Sequence, residues 1–63
     1  MKYYFELLTS DYDSLECFIP DGTVANAKRY AKQYMREHGI SEAILTRNSL
    51  VASNLLECID VYV

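Results

Sequence analysis

The sequence predicts an α+β fold of order ββαββ, with one helix over about residues 23–38 packed on one face of a small mixed four-stranded sheet. Three stretches predict it: the aromatic-rich opening KYYFELLT, the helix-periodic run TVANAKRYAKQYMREHG and the β-branched close LLECIDVYV.

The opening stretch alternates, with Tyr3, Phe5 and Leu7 on one side and Lys2, Tyr4, Glu6 and Leu8 on the other. SDYDS follows, and Asp and Ser side chains that bond nearby backbone groups favour a turn. Residues 10–14 are therefore expected to join the first strand to LECFI, residues 15–19, as a hairpin that Pro20 ends. PDGT is a second turn signal, and Thr23 is expected to cap the next element by offering its hydroxyl to a free amide of the first helical turn.

From there, Val24, Ala27, Ala31, Tyr34 and Met35 recur at the spacing of one helical stripe. Gly39 is expected to close the helix in the left-handed conformation, with Ile40 covering Met35 as a Schellman motif requires. His38, just before that glycine, stands where a partial positive charge meets free carbonyls favourably. Such a helix is about 24 Å long, which matches a strand of about seven residues, so it crosses the sheet once.

EAILTR, residues 42–47, and LLECIDVYV, residues 55–63, are the last two strands. Between them NSLVASN fits two patterns: a tight turn at Asn48-Ser49 with Leu50–Ala52 opening the last strand, or a break at Ser53-Asn54. The link from the second strand through the helix to the third is long enough for a right-handed crossover between parallel strands. The word LEC occurs at residues 15–17 and 56–58, and LT at 8–9 and 45–46, repeats short enough to arise by chance.

Sixty-three residues are expected to form one domain, residues 1–63, and a chain of this size buries only about 60% of its unfolded surface. The opening MKYYFELL has no secretory pattern, so a reducing cytoplasm is expected, with Cys17 and Cys58 as thiols. The longest uncharged stretch is NSLVASNLL, too short for a membrane span of roughly 20 apolar residues, so no membrane partner is expected. The net charge of −3 argues against a dedicated polyanion binder, yet it conceals a strong division. Residues 1–22 carry Lys2 against five acids, while residues 23–39 carry Lys28, Arg29, Lys32 and Arg36 against Glu37.

One helix covers one face of a four-stranded sheet, and the other face is not polar here. Tyr4 and Leu8 lie opposite Phe5 and Leu7, Phe18 lies opposite Cys17 and Ile19, and Tyr62 follows Leu56 and Cys58. Leaving several hundred Å2 of apolar surface wet forgoes on the order of 10 kcal/mol. A homodimer using Tyr4, Leu8, Phe18 and Tyr62, sheet against sheet or edge to edge, is the expected remedy.

Lys28, Lys32 and Arg36 form an i, i+4, i+8 row beside Arg29, with Tyr30 near enough to stack on a base. This row is the candidate macromolecule-binding surface. An acidic partner, either a protein or the Asp11, Asp13 and Glu16 region of a second copy, suits it better than nucleic acid, because the acidic remainder repels a polyanion. His38 has no nucleophile placed beside it by sequence. Cys17 and Cys58 lack CxxC spacing and are expected as small core residues. Two Cys and one His do not make a zinc site, and Asp11 and Asp13 lack calcium-loop spacing. No catalytic, metal or cofactor residues are assigned. The expected function is a self-associating protein-interaction module, with nucleic-acid binding through the basic helix face as the alternative.

Overall fold

The computed structural model describes residues 3–19, 22–51 and 54–63, so the expectations placed on Lys2, Pro20 and Ser53 lie outside the described residues. The elements are β1 (Tyr3–Leu8), β2 (Ser14–Phe18), α1 (Val24–His38), β3 (Glu42–Ser49) and β4 (Leu55–Tyr62), in the expected ββαββ order. They form one sheet in the order β2-β1-β3-β4, and every neighbouring pair is antiparallel. The expected mixed sheet is corrected by this pairing. β2 and β3 do run in the same direction, but β1 lies between them and pairs with both. β1 suits that central place, since it carries Phe5 and Leu7 on one face and Tyr4 and Leu8 on the other.

The helix packs on the face that bears Phe5, Leu7, Ala43, Leu45 and Val61, to which it contributes Ala27, Ala31 and Met35. Val24 and Tyr34 complete the expected stripe as partly buried neighbours. The Tyr34 hydroxyl donates to the Leu15 carbonyl at 3.1 Å, tying the helix to β2. Gly39 takes φ 68° and ψ 31°, and the Ile40 amide donates to the Met35 carbonyl at 2.8 Å, which is the Schellman bond. Ile40 packs on the core as expected. The Thr23 cap is corrected: its hydroxyl makes no capping bond, and only its carbonyl engages, accepting from the Ala27 amide at 3.1 Å.

The β1–β2 hairpin turns through Ser10, Asp11 and Tyr12. The Tyr12 amide donates to the Thr9 carbonyl and the Thr9 amide to the Asp13 carbonyl, both at 2.9 Å. This is a three-residue loop whose last position is left-handed, usually Gly or Asn. Here Tyr12 occupies it, at φ 64°, with its ring 69% exposed. A bulky residue in that region costs roughly 1 kcal/mol and the exposed ring returns little. Tyr12→Asn is therefore expected to raise stability by about 0.5–1 kcal/mol, read as a higher urea midpoint at unchanged slope.

β3 runs on through Asn48 and Ser49, which pair with Tyr4 and Tyr3 of β1. The tight turn at Asn48-Ser49 is thereby corrected, and Leu50 and Val51 lie in the turn rather than in the last strand. The Ser49 amide donates to the Asn54 carbonyl at 2.9 Å and closes the connection. The two LEC words fall at matching places on the edge strands: Cys17 sits across from Glu6, and Cys58 across from Thr46. The LT words do not match in this way, since Leu8 pairs with Ile44, and Leu45 pairs with Leu7.

Candidate interaction surfaces

The outward side of α1 brings Lys28, Arg29, Lys32 and Arg36 together with Ala25 around one shallow concavity of about 350 Å3. Helical spacing alone produces the grouping, because residues three and four apart are neighbours on one face. Arg29 is anchored by donating from Nη1 to Asn26 Oδ1 at 3.2 Å. Tyr30 is oriented differently from the expectation of a base-stacking ring. Its ring lies 4.5 Å from that of Phe18, which in turn stacks on Phe5 at 5.9 Å.

That stack corrects the placing of Phe18. It pairs with Phe5 and faces the helix, so it does not belong to the open side of the sheet. The error arose at the start of β2, where a register shift places Leu15 and Phe18 both against the core. Simple alternation cannot put residues 15 and 18 on one face, whereas an extra residue in the strand can.

Tyr4, Leu8 and Tyr62 do share the open face. Leu8 is buried by its sheet neighbours, Tyr4 is half-buried, and Tyr62 is 61% exposed. Cross-strand partners share a face, so the pairing spells out the surface in rows. One row reads Cys17, Glu6, Thr46, Cys58 across the four strands, and the next reads Ser14, Leu8, Ile44, Asp60. A third carries Tyr4, Asn48 and Leu55, with Ile19 just past the end of β2. At its centre, Thr46 Oγ1 donates to the Glu6 carbonyl at 3.2 Å and Asn48 Nδ2 donates to Thr46 Oγ1 at 3.0 Å. Glu6, Glu42 and Asp60 are its carboxylates, and among the described residues it carries no basic side chain.

Both cysteines are exposed on this face as free thiols, which corrects their expected place in the core. The reason is register: each lies on an edge strand, across from a residue that points away from the helix. The Cys17 thiol is pushed above its ordinary value, first by partial burial and then by the Glu6 and Glu16 carboxylates. Because the thiolate is the reactive form, Glu6→Gln is expected to speed alkylation of Cys17 by iodoacetamide at mildly alkaline pH, about two- to threefold. An unchanged rate would show that Glu6 does not act on it.

On the helix side, Arg47 lies 5.1 Å from the centre of the Tyr3 ring and pairs with Glu57 at 3.5 Å, a separation that leaves its Nε without a hydrogen bond. His38 stacks on Tyr34 at 4.0 Å, and its Nδ1 lies 2.9 Å from the Tyr34 carbonyl. Since the carbonyl only accepts, Nδ1 carries the proton in this contact. The ring serves the helix end, as expected. Among the described residues no group of three or more His, Cys, Asp or Glu side chains lies placed to hold a metal ion.

Fold and surfaces together define a small one-helix, open-faced antiparallel α+β protein, basic on the helix side and acidic with apolar patches on the sheet side. No protein-family model matches the chain, and neither a curated protein nor a solved structure matches it. Among the described residues no helix is long and apolar enough to cross a membrane.

Proposed function

We propose that this chain is a small self-associating protein-interaction module of the cytoplasm, with no chemistry of its own, whose copies meet through the open sheet face. The supporting observation is that this face leaves Tyr62, Leu55 and, just past β2, Ile19 exposed around a centre already buried at Leu8, Thr46 and Asn48. Such a surface gains from a second layer, since each Å2 of apolar area removed from water contributes about 25 cal/mol. Association by the sheet leaves the basic helix faces outermost, where each is available to an acidic protein partner.

Light scattering during size exclusion tests self-association. A dimer mass that falls toward the monomer on about a hundredfold dilution supports it. A monomer mass at every concentration removes it.

The concavity lined by Lys28, Arg29, Lys32 and Arg36 favours one further reading, nucleic-acid binding through the helix. Four phosphate contacts on duplex DNA predict a salt slope near ~−3.6, or several thousandfold in affinity per tenfold salt. Absence of binding to mixed DNA and RNA at low salt eliminates that reading.

A further inference from the structure

We propose that two copies meet face to face with their two-fold axis parallel to the strands and midway between β1 and β3, so that Cys17 of one copy lies over Cys58 of the second. This rests on the self-association reading and adds to it the direction in which the copies face.

The inference follows from the rows. A symmetric face-to-face pair has its axis in the plane between the sheets, and the two directions that keep the strands of the copies aligned run along the strands or across them. An axis along the strands lays every row on its own reverse. Glu6 then faces Thr46 of the second copy, Leu8 faces Ile44, Asp60 faces Ser14 and Tyr4 faces Asn48. Leu55 faces Ile19, and Glu42 faces the hairpin near Ser10, which lines the same small depression as Glu42 and Asp60 within one copy. Asp60 and Glu42 each meet a serine-bearing segment and each aliphatic side chain meets another. Glu6 lies over Thr46, whose hydroxyl proton already goes to the Glu6 carbonyl, so the Glu6 carboxylate turns to the rim water.

An axis across the strands does the reverse. Centred on the Glu6 row it sets Glu6 on its own copy, and centred on the Leu8 row it sets Asp60 on Asp60. Centred between them it presses Glu6 onto Leu8. Each of these three placements sets a carboxylate against a like charge or an aliphatic group, and both are unfavourable in a desolvated contact.

Size sets the strength. Four strands about 4.8 Å apart and about six residues long make a face near ~400 Å2 in projection per copy. With its rim side chains, the pair buries on the order of 1,000 Å2, the low end for specific contacts, so the dimer is a reversible one.

The two thiols supply the test. Within one copy they are three strand spacings apart, about 14 Å, and across the proposed contact Cys17 and Cys58 stand about 10 Å apart, one sheet separation. Direct disulfide formation needs a closer approach, while a short bis-maleimide spans the gap. Cys17→Ser and Cys58→Ser variants, each first shown to sediment as the wild type does, are treated with the reagent singly and as an equal mixture. Cross-linked dimer is expected in the mixture at no less than about tenfold its level in either variant alone, because like thiols are about 17 Å apart in this geometry. Homotypic linking through Cys58 alone would indicate pairing along the β4 edge, through Cys17 alone pairing along the β2 edge, and through both an axis across the strands. Any of these results, or a dimer that cross-links in no sample, overturns the proposed geometry while leaving self-association standing. Open-ended oligomers would point instead to helix-on-sheet stacking and would also overturn it. A strict monomer in sedimentation takes down the self-association reading and this geometry with it.

Discussion

Leu45→Ala is expected to lower the urea midpoint of unfolding by about half or more. Leu45 is fully buried in the middle of β3, paired with Leu7 on one side and Ile59 on the other, beneath the helix. Truncating a leucine in such a place costs about 2–5 kcal/mol, through lost burial and the cavity left behind. At 0.05–0.15 kcal/mol per residue, a chain of this length has roughly 3–9 kcal/mol in all. The substitution therefore removes about half of the stability or more. Urea titration followed by circular dichroism measures it. The variant's unfolded fraction should fall as protein concentration rises, because any association of folded copies draws on the folded state by mass action. A midpoint within experimental error of the wild type would mean that the helix does not cover Leu45.

Ile44→Glu is expected to separate folding from association. Ile44 lies on the open face between Leu8 and Asp60, half-buried in the single chain, so a glutamate there stays partly solvated in the monomer. In the proposed pair it faces Leu8 of the second copy and loses its water. A buried unpaired carboxylate next to Asp60 weakens association by about a hundredfold or more, on the order of 3 kcal/mol. The expected result is a monomer by sedimentation velocity at concentrations where the wild type pairs, with an unchanged far-ultraviolet spectrum. Retained pairing would place the contact elsewhere, and the β4 edge would be the next surface to examine.

Much of this architecture is legible from residue order because local signals agree with global ones. The helix carries its stripe, its left-handed Gly39 and its following Ile40 in one short run, and all three settle in the expected places. The first strand alternates as its sequence alternates. The failures have physical causes. β1 takes a place between β2 and β3 because strand order depends on which strand has two apolar faces, and segments judged one at a time do not compare strands. Phe18 changes face because the register shift near Leu8 adds a residue to β2, and no composition rule marks where a shift falls. Cys17 and Cys58 reach solvent because a small apolar residue in a strand suits either face, and only pairing decides between them. Thr23 shows that a favourable capping residue does not ensure a capping bond. The basic row on α1 needs only helical geometry to assemble, so it is visible at once, whereas the rows of the open face depend on long-range pairing.

The most direct measurement is the backbone amide spectrum of the isotope-labelled wild type, followed by dilution from millimolar to the lowest usable concentration. If the copies meet through the open sheet face, the concentration-dependent shifts cluster at Tyr4, Leu8, Cys17, Ile44, Cys58 and Tyr62, and the outer helix residues Lys28, Lys32 and Arg36 stay still. Shifts confined to those helix residues, or a spectrum that does not change over the whole range, would contradict it.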